Sequence, residues 1–169
     1  MATDVPLRVP ANRVHPAAVW LWVAEGVLGS AIVAAIVLGV SLVLPDDAPG
    51  QLAALLTVAR WLLVPLAVVW IVIEPVWRYR VHRWEVTEDA VYTLEGWVSR
   101  TWRIVPVSRI QTVDTTSGPL QQLLGLASIS VRTASHAGST SIEQLAAPTA
   151  AAVAHDLGLR ANAVRDEAT

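Results

Sequence analysis

Cysteine is absent from the 169 residues, which removes disulfides, thiolate metal centres and cysteine nucleophiles from consideration. Lysine and phenylalanine are absent as well, so all 12 cations are arginine; together with abundant Ala and Val this reads as codon bias from a GC-rich genome. Charge is scarce, 15% of residues against 54% apolar, too little for an average soluble domain. The net charge of −2 gives no basis for nucleic acid as a partner, which requires a concentrated cationic excess. Four histidines, His15, His82, His136 and His155, are scattered without metal-ligand spacing, and no metal or cofactor is implied.

What the chain does have is two long apolar runs. Gly26 to Leu44, "GVLGSAIVAAIVLGVSLVL", is uncharged and as a helix covers about 28 Å, matching a hydrocarbon core of roughly 30 Å. It is longer than a signal-peptide core and lacks a small-residue cleavage site behind it. Leu52 to Ile73 is a second run, interrupted by Arg60 and Pro65; Arg60 lies near its start, where a guanidinium can rise toward the headgroups. The connection "PDDAPGQ", Pro45 to Gln51, is short, acidic and rich in turn formers, which implies an antiparallel hairpin.

Arg8 and Arg13 precede the first run, Arg78, Arg80 and Arg83 follow the second, and the connection has neither Arg nor Lys. The positive-inside rule then puts both termini of a two-pass protein in the cytoplasm. At the exit of the second run stands "WRYRVHRW", residues 77 to 84. Amphipathic rings beside arginines suit the headgroup layer, so Trp77, Arg78, Tyr79, Arg80, Arg83 and Trp84, with Trp20 and Trp22 on the first helix, are expected at the membrane interface. Glu25 is expected at the cytoplasmic edge of the first span, too far in depth from Arg60 to pair with it. Small residues recur at Gly26, Ser30 and Ala34 and at Ala31, Ala35 and Gly39, a spacing that permits close helix approach.

Beyond Arg83 the period changes from helical to alternating. "RWEVTEDAVYTLEG" predicts two strands around a turn at Glu88 and Asp89. "WVSRTWRIV" continues in the same manner until Pro106, "VSRIQTVDTT" follows, and "STSIEQL" predicts a last strand. "LASISVRT" alternates most cleanly, with Ala127, Ile129 and Val131 on one face and Ser128, Ser130 and Arg132 on the other. "APTAAAVAHDLGL" predicts a helix with Pro148 in its first turn and Gly158 just past its end. The expected organisation is an N-terminal segment over 1–16, a transmembrane hairpin over 17–76 (spans about 20–44 and 52–75), a juxtamembrane basic-aromatic segment over 77–83, a cytoplasmic domain over 84–160 and a tail over 161–169.

Within the domain, Pro106, Arg109-Ile110-Gln111, Val113-Asp114, Gly118-Pro119-Leu120, Leu126 and Thr133-Ala134 resemble the bacterial pleckstrin-homology-like domain of the YdbS-like membrane proteins. The likeness covers Arg83 to about Leu159, and the preceding hairpin agrees in arrangement. It implies an α+β membrane protein: a two-helix hairpin, then a strongly bent antiparallel sheet closed by a C-terminal helix. It implies no catalytic activity and no established ligand. This chain has "QQLLG" where more basic members often carry a cation after the leucine.

Arg109 and Gln111 share a strand parity inside that motif and are the first candidates for a contact surface. Arg100, Arg103 and Arg132 are weaker candidates, since six Arg face nine acids from Trp84 onward and Arg100 and Arg103 have opposite parity. Ser135, His136 and Asp114 do not form a triad, because adjacent Ser and His on a strand end point apart. The expected function is a membrane-anchored, non-enzymatic module for protein–protein interaction or assembly, with a membrane-protein partner or a homo-oligomer. An anionic-lipid sensor and a small transporter or channel subunit using Glu25 and Arg60 are the alternatives.

Overall fold

The computed structural model describes residues 8–43, 50–96, 99–134 and 138–167. Positions 45–49 of the expected connection, together with Trp97, Ser135 and His136, lie outside them. Two units result: one takes the described residues up to Ala18 and those from Arg78 on, the other runs from Val19 to Trp77.

Strand β1 (Asn12–Arg13) opens the first unit, and helix α1 (Ala17–Val43) begins at its edge. Helix α2 (Gly50–Val68) contains Pro65 and passes through a π-helical turn, Val69–Ile73, into α3 (Glu74–Val81). The loss of the Pro65 N–H is of the kind that local π adjustment accommodates in an apolar helix. Both stretches, 27 and 32 residues, are long and apolar enough to cross a membrane. At 1.5 Å per residue the second covers about 48 Å, more than a hydrocarbon core of roughly 30 Å. It therefore does not stop at Ile73: Trp77 to Arg80 occupy its last helical turns.

Inside this helical unit, Gly26 is a contact point. A Cβ built there would lie 2.7 Å from the Trp70 carbonyl oxygen, whereas Gly29 and Gly39 have open space. Of the small residues noted in the sequence, Gly26 thus lets the π-helical turn approach α1 within one chain.

The other unit is a pair of antiparallel sheets. One has the order β1-β2-β3-β4, with β2 Arg83–Val86, β3 Ala90–Glu95 and β4 Thr101–Pro106. A 3-10 turn, Val107–Arg109, leads into β5 (Ile110–Thr116). After α4 (Pro119–Leu123) come β6 (Leu126–Thr133) and β7 (Thr140–Ala146), giving the second sheet, β5-β6-β7. Helix α5 (Ala147–Glu167) closes the unit. The turn at Glu88 and Asp89 is held by Thr87, whose N–H donates to the Ala90 carbonyl at 2.9 Å and whose Oγ1 accepts from the Ala90 N–H at 3.1 Å.

Alternation on β6 buries Ala127, Ile129 and Val131 as the pattern predicts; Val91, Val105, Ile142, Leu145 and Leu157 complete the core. One expectation fails at the C-terminus, where α5 continues past Gly158. Gly costs a helix interior only about 1 kcal/mol relative to Ala. Here Leu157 and Ala161 on either side of it are buried. Arg160 also bonds Asp156 at 2.7 Å and the Thr87 carbonyl at 3.3 Å, which fastens the following turn.

Candidate functional site

Two places in the β-rich unit gather polar side chains. The first is a cleft of about 650 Å³ where the end of β4 meets the start of β5, lined by Ile104, Val105, Pro106, Ser108, Arg109, Ile110 and Gln111, with Thr133, Ala134 and Gly138 opposite. It forms because Pro106 ends β4, and the 3-10 turn shifts the chain from one sheet to the other. Among the described residues, β4 and β5 each stand at the end of their sheet, so the cleft lies between two outer strands.

The structure brings Arg109 and Gln111 together in this cleft, though not by strand parity. Arg109 ends the 3-10 turn, and Gln111 sits where the β5–β6 register shifts between Ile110 and Thr112. Both are exposed. Arg109 makes no hydrogen bond or ion pair to any described residue. The weaker candidates do not converge with it. Arg103 donates to the Ser139 carbonyl at 3.1 Å, Arg132 pairs with Asp114 at 3.5 Å, and Arg100 is exposed before β4.

The second place is a junction on β7. Opposite Ser128, the β6–β7 register carries a bulge between Ala127 and Ile129, and Gln144 there takes φ 57°. A non-glycine residue in this left-handed region is uncommon. The bend turns Gln144 into a hub: its carbonyl accepts the His15 N–H at 2.8 Å and its Oε1 accepts from Gln121 Nε2 at 3.0 Å. Gln121 is saturated in turn, because Nε2 also reaches Ser128 Oγ at 3.0 Å and Oε1 accepts the Gly118 N–H at 2.9 Å, capping α4. The neighbouring Glu143 pairs with Arg78 at 3.9 Å. The segment preceding α1 and the C-terminal end of α3 thus both dock on Glu143–Gln144. None of this was legible in the sequence, since a left-handed Gln at a bulge has no compositional mark.

Beside the junction, Arg78, His82, Glu95, Gly96, Ser99, Thr101 and Glu143 line a polar hollow of about 410 Å³. Burial, reinforced by the nearby Glu143 carboxylate, pushes the Glu95 carboxyl above its ordinary range, against the opposing pull of Arg103 and Arg78. Burial and the Arg78 charge hold His82 below the usual imidazole range; its Nδ1 lies 3.0 Å from the Arg78 carbonyl.

The expected membrane-interface residues divide. Trp20, Trp77 and Arg80 are exposed, Trp20 at 68%. Trp22 is only 2% exposed. Trp84 belongs to β2: it packs against the core, and its Nε1 donates to the Arg13 carbonyl at 3.2 Å. Tyr79 is half-buried beneath the Arg13 guanidinium, 5.9 Å from the ring centre, and Arg78 and Arg83 are half-buried as well. Glu25 and Arg60 are both exposed on their helices.

A family model described as the bacterial PH domain matches residues 16–161. The UPF0699 transmembrane protein YdbS of Bacillus subtilis (strain 168) is 32% identical over 130 residues, covering 74% of this chain and 77% of that protein. No solved structure matches.

Proposed function

The chain belongs to the bacterial PH domain family and is a membrane protein, and from that premise we propose that it is a non-enzymatic interaction module anchored at the cytoplasmic face of a bacterial inner membrane. Its ligand is an extended segment of a partner membrane protein, taken into the cleft between β4 and β5. The observation that carries this reading is the cleft itself, in which a largely apolar wall, the outer strands of both sheets and Arg109, without a partner among the described residues, occur together. A peptide backbone can add to a strand edge, apolar side chains can enter the wall, and a carboxylate can meet the guanidinium. Anchoring raises the effective concentration of partners confined to the same plane.

Lipid sensing by the arginines has thinner support, because Arg78, Arg103 and Arg132 are already engaged within the domain. Purification of the tagged full-length protein from native membranes in mild detergent, with mass spectrometry of proteins and lipids, separates the two. A stoichiometric membrane protein that is depleted by Arg109→Glu is expected. One anionic lipid class retained without any protein would replace this reading with the headgroup sensor.

A further inference from the structure

From Ser117 to Gly125 the sequence "SGPLQQLLG" carries no charge, and within it α4 exposes two leucines, Leu120 at 37% and Leu123 at 83%. They are three residues apart and so share one face of the helical turn. In the helical unit, Leu42 and Trp61 are exposed to a similar degree, 77% and 80%, and there the apolar surface is that of a segment able to cross a membrane. A leucine as bare as Leu123 on the β-rich unit has no such explanation from its own fold.

Its position supplies one. Gln121, between the two leucines, is bonded to Gln144, and Gln144 accepts the His15 N–H two residues before α1 begins. Arg78, at the other chain passage into the apolar helices, pairs with the adjacent Glu143. Within the β-rich unit, then, α4 is fastened to Gln144, which receives the segment before α1, and Gln144 adjoins Glu143, which receives Arg78. Within this unit, α4 therefore shares the β7 bulge with both of the unit's own segments that lead on to the apolar helices. We propose that α4 is a membrane-dipping element: Leu120 and Leu123 enter the interfacial layer of the bilayer in which the chain is anchored, while the saturated Gln121 holds the short helix rigid enough to deliver them. This rests on membrane anchoring and is independent of what occupies the cleft.

The absence of native cysteine makes a direct test simple. Single variants Leu123→Cys and Leu120→Cys of the full-length protein, with Leu159→Cys and Thr112→Cys as exposed references, are labelled with an environment-sensitive fluorophore. They are placed in nanodiscs of phosphatidylcholine and phosphatidylglycerol, and unfolding profiles matching the unlabelled protein are required. Labels at positions 123 and 120 should show blue-shifted emission and quenching by nitroxides carried high on the lipid acyl chains, while those at 159 and 112 remain water-like and unquenched. A label at 123 as water-like as that at 159 would overturn the proposal. A blue shift without lipid-borne quenching would overturn it too, since protein and not bilayer would then cover α4.

Discussion

Gln144 shows how much of this fold rests on single polar side chains. Its left-handed backbone costs of order 1–3 kcal/mol, and its carbonyl and Oε1 hold the segment before α1 and helix α4 on one bulge. Gln144→Ala keeps the backbone strain and removes the Oε1 acceptor from the Gln121 amide. It should destabilise by about 1–3 kcal/mol. Gln144→Gly removes the same bond but relieves the strain, so it should cost less; denaturant unfolding of both variants in detergent checks the order. Glu95 supplies a pH test. With its folded-state pKa raised, the group costs no stability below its unfolded value near 4.5 and costs increasingly more as pH rises through the folded value. Glu95→Gln should therefore be more stable than the wild type at neutral pH, and the advantage should vanish when melting is measured below 4.5. His82 has the opposite sign: its lowered pKa costs stability only as pH falls below 6.5. Residues of this kind were illegible beforehand, whereas Arg109 and Gln111 could be chosen because a motif carried them.

Among the elements, legibility followed the strength of the period. β6 is legible because alternation from Ala127 to Arg132 matches its buried face. The end of α5 is hidden in the sequence because Gly158 is a stop signal there, and the buried Leu157 and Ala161 that override it are visible only in three dimensions. β1, two residues long, is below what any pattern can reveal. The apolar helices were plain in composition, but not the π-helical turn that meets Gly26. That contact gives a prediction at this scale. Gly26→Leu should disrupt the approach of α1 to the Trp70 backbone, at a cost of about 1–3 kcal/mol or more for overpacking. Gly29→Leu, facing open space, should be tolerated; thermal unfolding and elution volume in detergent distinguish the pair.

For the whole molecule, the family and the two apolar helices describe a membrane-held PH-like domain. The proposed orientation, with both termini on the cytoplasmic side, predicts opposite reactivity at two engineered cysteines. Gln51→Cys should react with a membrane-impermeant maleimide in intact spheroplasts, and Thr112→Cys only after permeabilisation. The proposed seating of a segment of another membrane protein in the β4–β5 cleft is tested by a photo-crosslinking amino acid in place of Gln111. In native membranes the expected result is a discrete protein adduct from position 111, absent from a control at Leu159 and lost when Arg109→Glu is added. Lipid adducts alone, or none that distinguishes position 111 from 159, would contradict it.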